Sequence, residues 1–348
     1  MKPTMDNETL KAFGQFLQAV HSTQNPGNGH QVHPRLSAAL GANETIPSEG
    51  GFTVPADFSS VLMKKIRKQT DIAQLCTSVP VTVGNSAKFP GVDETSRANG
   101  SRYGGIQSTW NQESNPITAS KGKFWSAELI LGKITAASYV TEELYSDAPL
   151  LGAFIELAFP LEAAFKLDEG ILLGSGLGQP LGIMNSKALI TVAPDDGQAA
   201  GSISPTNITG MFSRMMPGGR KNAVWFVSDT VESALYTLPA PAGAAALLFT
   251  PGDADAPFGR LMSRPIVPME QAPAIGTTGD IVFADPSMYL LAQKPPELVL
   301  SVDVGFANGE CVFRFFLRVD GQPAIRTPVT PYNGGSTQSA FVALETRA

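Results

Sequence analysis

The amino-acid sequence predicts an α+β protein of two lobes that carries a long β-hairpin arm. Three observations lead there. The chain has 348 residues, beyond the size at which a single hydrophobic core stops growing, so two lobes are the expectation. Its 34 glycines and 27 prolines call for many turns and argue against a helical bundle. Between strand-like flanks, Asp93 to Pro116 runs for 24 residues with Ile106 as its only large aliphatic side chain. Structureless loops beyond about 12–15 residues are uncommon in compact domains and are usually functional or disordered.

Taken in order, residues 6 to 20 suit a short amphipathic helix, with Asp6 or Asn7 as cap and Leu10, Phe13, Leu17 and Val20 on one stripe. Such a helix is marginal alone and is expected to dock on something. Residues 21 to 50 form a polar arm expected to order on a partner rather than remain a disordered tail. A body begins at Gly50 to Asp57, and Phe58, Val61, Leu62 and Ile66 then recur at helix spacing. Val79 to Val83 is strand-like. Lys88-Phe89 leads into the long loop. Phe124 to Leu131 leads out, with Trp125, Ala127, Leu129 and Leu131 alternating on one face. An isolated two-stranded hairpin is marginal in water. The arm of residues 85 to 125 therefore needs another surface, and the nearest candidate is a neighbouring copy.

The longest helical pattern runs from Thr141 to Leu173. Thr141-Glu142-Glu143 starts it, and Leu151, Phe154, Ile155, Ala158, Leu161 and Phe165 trace its stripe. Pro149 breaks an early turn and Pro160 sits inside the stripe, so a kink or two helices are expected. From 201 to 290 helix and strand alternate: a helix at Thr206 to Met216, a buried strand at Ala223 to Val227, then a helix capped by Ser228-Asp229 and running to Leu238. Strands follow at Arg264 to Pro268 and Asp280 to Ala284. The last third is β, with Glu297 to Val304 and Cys311 to Val319 joined by a turn holding Asn308-Gly309. Arg314 to Arg318 does not alternate strictly, which predicts a strand buried on both faces.

Charged residues make up only 16% of the chain, against roughly 25% in typical soluble domains. Either partners cover much of the surface, or this is a Gly/Pro-rich secreted or surface protein. The formal charge of −6, from 25 Lys+Arg and 31 Asp+Glu, disfavours a dedicated nucleic-acid binder. There is no run of 18 apolar residues, hence no expected transmembrane helix, and the N-terminus lacks a signal-peptide core. Cys76 and Cys311 sit among apolar neighbours and read as buried free thiols.

Chemistry is hard to find. His21, His30 and His33 all lie in the N-terminal arm, which leaves no histidine in the body to serve a nucleophile. Gly174 to Gly182 resembles a dinucleotide loop superficially, but Gln179 occupies the third glycine position and Pro180 follows where a helix should open. The adjacent pairs Glu142/Glu143 and Asp168/Glu169 point about 100° apart on a helix and read as solvated faces or caps. Asp93 and Glu94 at the root of the long loop suit inter-subunit ion pairing. No cofactor or metal is expected.

Five segments in order carry a resemblance. They are Gly50 to Pro55, the hairpin of residues 85 to 125, Tyr139 to Leu144, Asp168 to Met184, and the strands around Gly259 to Ile266 and Asp280 to Tyr289. Asp168-Glu169-Gly170, then Gly174-Ser175-Gly176-Leu177-Gly178-Gln179-Pro180-Leu181-Gly182-Ile183, is the most specific. Over about 300 residues the chain resembles the major capsid proteins of tailed bacteriophages, whose fold is shared with encapsulin shells.

The resemblance implies a helix and arm at 1–50, a peripheral domain at 51–84, an extended loop at 85–125 and the rest of the peripheral domain with its spine helix at 126–200. A central (axial) domain at 201–290, peripheral strands at 291–325 and a C-terminal segment at 326–348 returning to the central domain complete it. It implies a non-enzymatic protein that self-assembles, as hexamers and pentamers, into an icosahedral shell around double-stranded DNA without gripping it. It further implies a virion location, assembly in the host cytoplasm, no membrane, and as partners a portal and, because the region before Gly50 is short, a separate scaffold or none, with a decoration protein as a further partner. Assembly roles fall to Arg97, Arg102, Trp110 and Glu113 in the loop, to Lys121 and Lys123 on its return, and to Glu142 and Glu143 at the spine-helix start. Gly174, Gly176, Gly178, Pro180 and Gly182 would turn the chain tightly. Lys121 and Lys123 do not align with the loop lysine that some relatives join covalently to an asparagine, so contacts alone are expected to hold the loop. The rival readings are an encapsulin-type compartment, which the polar arm disfavours, and a nucleotide-dependent enzyme using Gly174 to Gly182.

Overall fold

The computed structural model describes residues 51–53, 56–81, 84–113, 119–141, 148–238, 249–250, 252, 257–305 and 310–347. The expected N-terminal helix and arm, its three histidines, Glu142, Glu143 and the Asn308-Gly309 turn lie outside them. In chain order the elements are β1 (Gly51–Thr53), α1 (Ala56–Gln69), β2 (Thr77–Val79), β3 (Ser86–Val92), β4 (Phe124–Ile130), β5 (Gly132–Thr141) and α2 (Ala148–Leu173). There follow β6 (Leu189–Val192), α3 (Pro205–Arg214), β7 (Val224–Ser228), α4 (Asp229–Tyr236), β8 (Phe249–Thr250), β9 (Arg260–Leu261) and β10 (Arg264–Met269). The last are β11 (Ile281–Ala284), β12 (Tyr289–Gln293), β13 (Glu297–Gly305), β14 (Glu310–Pro323) and β15 (Phe341–Leu344). The chain divides into two compact units. One comprises Met1–Thr70, Lys133–Leu167 and Lys294–Arg318; the other comprises Asp71–Gly132, Asp168–Gln293 and Val319–Ala348.

In the first unit, β13 pairs antiparallel with β14 and, on its other edge, with β1, placing Phe52 opposite Leu300 and Leu300 opposite Phe313. Burial along β14 alternates strictly: Phe313, Phe315 and Leu317 are buried, while Arg314, Phe316 and Arg318 face the other way. The expectation of a strand buried on both faces is therefore wrong. Phe316 breaks the alternation only in composition, because Lys133, Arg314 and Arg318 lie 5.7–5.9 Å from its ring centroid and give it a cationic setting. Leu151, Ile155, Phe159, Ala163 and Leu167 form the buried stripe of α2, and Phe159 stacks on Phe315 at 5.5 Å between centroids. Glu156, buried on the same helix, is paired with Lys65 of α1.

The expected start of α2 needs correction, since Thr141 ends strand β5 instead of starting the helix. Of the two outcomes expected at Pro160, the helix is one and not two, running from Ala148 through Pro160 to Leu173. Proline removes one backbone bond at a cost of about 3 kcal/mol. Burying Ile155, Phe159 and Leu167 contributes about 1.5–3 kcal/mol per side chain, enough to carry the helix across. Pro149 falls in the first turn, where its missing donor has no intrahelical partner to lose. Among the described residues no helix is long and apolar enough to cross a membrane.

In the second unit, β6-β15-β11-β7-β10-β9-β8 form a seven-stranded sheet. Trp225, Phe283, Ile266 and Val342 fill its core, with Trp225 and Phe283 stacked at 4.1 Å and the indole N–H donating to the Leu261 carbonyl at 2.9 Å. Strand β6, at Leu189–Val192, joins the same sheet as the strands of residues 201–290, so the boundary expected at residue 200 falls between strands of one sheet. A capping box of Ser204 and Asn207 opens α3. Ser228 stands at the N-cap of α4 without a side-chain bond to the helix backbone. β2 runs parallel to β12, and β12 antiparallel to the second half of β14.

β3 and β4 make the expected antiparallel pair, Phe89 opposite Ala127. Its inner face does not wait for a neighbour. Ala87, Ala127, Leu129 and Leu131 pack on Val79, Leu290 and Ala292 of the same unit, and the Ile130 amide donates to Asp320 at 2.7 Å. The root of the arm is thus supported by its own chain, contrary to expectation.

Candidate functional site

At the end of α2 the backbone closes a tight loop. The Gly174 amide donates to the Gly170 carbonyl (3.0 Å), Gly182 to Gly174 (2.8 Å) and Gly176 to Pro180 (3.2 Å). A Cβ at Gly174 would lie 2.2 Å from the Pro180 carbonyl oxygen, and one at Gly182 2.4 Å from the Gly174 nitrogen. Gly176 and Gly178 have φ of 79° and 70°, the left-handed region that favours glycine. Asn185 donates to the carbonyls of Leu173 (2.7 Å) and Gly174 (3.1 Å), capping the helix. The loop is tied down by the Leu181 amide to Gly321 (2.8 Å) and by the Tyr289 hydroxyl to Leu181 (3.0 Å). Gly132 belongs to it too, since a Cβ there would lie 2.3 Å from the Gly178 carbonyl oxygen. The predicted glycines therefore act together. They stand at the C-terminus of a helix, the end that repels phosphate, and the amides of Gly174, Gly176, Leu181 and Gly182 are already committed.

Upstream, Asp168 is 2% exposed and accepts the amides of Asp71 (2.7 Å), Ala73 (3.1 Å) and Ile72 (3.3 Å). It is not half of a solvated pair. Burial outweighs those donors and pushes its carboxyl up to about 6. Burial also holds the Cys76 thiol far above its ordinary value, with Asp168 adding to the effect, which disfavours the thiolate. Among the described residues no group of His, Cys, Asp and Glu could hold a metal.

The long loop begins as a continuation of the hairpin. The Asp93 amide donates to Lys123 (3.1 Å), and the Lys123 amide to Gly104 (2.7 Å). It is also stitched to the C-terminal segment, since Thr330 donates to the Thr95 carbonyl (3.1 Å) and Arg97 donates to Thr330 (2.9 Å). Glu94 pairs with Arg97 at 2.8 Å, so this carboxylate already has a partner inside the chain. Beyond Gly104 and Gly105, with φ of 64° and 92°, the described residues of the loop mostly face solvent. Tyr103 and Ile106 are exposed and Trp110 is fully so, at 104%. Arg102, Glu113, Lys121 and Lys123 are exposed as well.

Beside the hairpin root lies an open groove of ≈ 490 Å³ between Trp125, Lys187 and Arg326. The Arg326 guanidinium sits 5.3 Å from the Trp125 ring centroid, and the indole covers Gly91, where a Cβ would lie 2.3 Å from Nε1. Sequence reasoning missed the Thr330 tether and the buried pair of Arg347 with Asp280. Both join residues far apart in the chain, and no local pattern marks them.

The family model described as the phage capsid family matches residues 50–334. The chain belongs to the phage capsid family. It is a capsid shell protein, and its place is the virion. No curated protein matches it in sequence. Among solved structures, the capsid of an empty GTA particle is similar with a TM-score of 0.60 at 18% identity, over 80% of this chain and 90% of that one. A Microbacterium phage Oxtober96 chain gives 0.53 at 16%, over 90% and 99%, and a Mycobacterium phage Cain chain 0.54 at 12%, over 80% and 90%. At such identities the likeness carries the fold, that of tailed-phage capsids.

Proposed function

We propose that this capsid chain forms hexamers and pentamers that close an icosahedral head around double-stranded DNA, with the loop of residues 93–123 clamped over a neighbouring subunit. The observation that carries the clamp is Trp110, a tryptophan with no cover of its own at the end of a loop whose root is pinned. Exposed aromatics of this kind are the side chains that dominate interfaces once buried. Tyr103 and Ile106 extend the apolar contact, while Arg102 and Glu113 supply its charged rim. Lys121 and Lys123 contribute contacts, not bonds. The five residues Gly174, Gly176, Gly178, Pro180 and Gly182 hold the end of the spine helix in one shape so that every subunit presents the same surface. The net charge of −6 suits a container that does not grip its genome. A portal and a separate scaffold are the expected partners, with a decoration protein as a further one, assembly takes place in the host cytoplasm, and the protein has no enzymatic role.

Expression alone and with a scaffold, followed by electron microscopy, tests this reading. Hexamers, pentamers or closed particles are expected. A chain that stays monomeric at high concentration under both conditions overturns the shell assembly. Particles of Trp110→Ala that are as heat-resistant as the parent overturn the clamp.

A further inference from the structure

α2 is apolar on two sides. Opposite its buried stripe, Phe154, Leu157, Leu161 and Phe165 are 50%, 61%, 43% and 37% exposed. Their spacing of three, four and four residues aligns them along one side of the helix over about 16 Å. Solvated helix faces are normally polar, so a continuous aromatic and leucine stripe calls for a cover. All four residues lie in the part of α2 that belongs to the first unit.

The same unit receives the chain from its N-terminus. Strand β1 begins at Gly51, and 50 residues precede it. Within them residues 6–20 carry the complementary pattern: Leu10, Phe13, Leu17 and Val20 fall on one helical stripe about 15 Å long. A helix of that length does not stand alone in water. The connecting residues 21–50 span up to about 100 Å when extended, more than enough to reach any surface of the unit that β1 enters. Two apolar stripes of equal length, joined by a polar tether, answer one another.

We propose that residues 6–20 of this chain dock as a helix on the Phe154-Leu157-Leu161-Phe165 face of its own α2. The stripe is then an intrachain seat for the N-terminal segment, closed before any shell forms.

The test is a cysteine pair in the full-length chain, Phe13→Cys with Leu157→Cys, oxidised in unassembled subunits. The expected product is an intrachain disulfide, seen as a faster band on a non-reducing gel, while Phe13→Cys with Tyr139→Cys gives none. A ladder of linked chains instead means that a second copy fills the stripe, and linkage only after a scaffold is added means that the scaffold arranges it. Either result overturns the proposal, as does a complete absence of linkage. Because an exposed cysteine pair can perturb folding, bis-ANS fluorescence provides a second measurement. Phe13→Asp in the full chain should raise it by unmasking the stripe, and adding Leu157→Asp should cancel the rise. An unchanged signal for Phe13→Asp sinks the idea.

Discussion

Asp168 and Glu169 look alike in sequence, yet Asp168 lies under the chain at residues 71–73 with its carboxyl pushed up to about 6 from an ordinary 3.8. Between those values the folded chain keeps a proton that the unfolded chain has released. This group's stabilisation is therefore greatest below about pH 4 and declines as pH rises to about 6, by at most about 3 kcal/mol. Denaturant unfolding from pH 4 to 7 should show that decline in the parent, and Asp168→Asn should flatten it. An identical pH slope in both would refute the assignment. At the other end of the chain, the guanidinium of Arg347 and the carboxylate of Asp280 are both 0% exposed and paired, with a second contact at 3.2 Å and the Gly276 amide donating to the same carboxylate at 2.8 Å. Arg347→Ala leaves that carboxylate buried without its cation and should cost about 3–5 kcal/mol in chemical denaturation of the subunit. Neither pairing is legible in sequence, because burial is decided by chain segments about 70–100 residues away. The glycines were legible, since the need for absent side chains is written into the residue type itself.

The glycine turn and the β9–β10 hairpin make opposite demands on their residues. Gly178 has open space around its Cα and only its φ to protect, so Gly178→Ala should cost about 1–2 kcal/mol. Gly174→Ala and Gly182→Ala meet backbone at 2.2 and 2.4 Å and should prevent the turn from closing. Thermal melts that rank the three substitutions equally would contradict this account. In the β9–β10 hairpin the two loop residues, Met262 and Ser263, have φ of 50° and 63°, where Asn-Gly would be relaxed. Replacing them with Asn-Gly should stabilise the subunit by about 1 kcal/mol, measured as a higher denaturation midpoint. Element types were largely readable from periodicity: α1, α2, β4, β7 and β11 fall close to where the spacing puts them. The misreadings have physical causes. Glu142 and Glu143 suit a helix start at Thr141, whereas Thr141 is the last residue of β5, a strand that pairs with the distant β14. The support of the hairpin root is invisible in the local sequence because Leu290 and Ala292 lie about 160 residues away in the chain.

For the whole molecule, the long loop and the order of the motifs were enough to reach the capsid family from sequence. The loop's lack of a core was visible without any structure, and the tether to Thr330 was not. That tether sharpens the deletion that tests the clamp. Removing residues 107–119 spares Thr95, Arg97 and the ladder to Gly104, and should give a folded subunit whose shells fail to close or lose heat resistance. Shells as durable as the parent's would show that the outer loop fastens nothing.

Thr330 also divides the arm mechanically. Below it, β3 and β4 are bolted to their own unit through Ala87, Leu129 and Asp320, and above it Gly100, Gly104 and Gly105 take φ values of 64° to 92°. The arm is therefore fixed at its root, and the three glycines turn the chain where that fixed part gives way to the exposed loop. In the proposed clamp, a pull on the outer loop would pass through the Thr330 tether and β3–β4 into Leu290 and Ala292 packed beneath them.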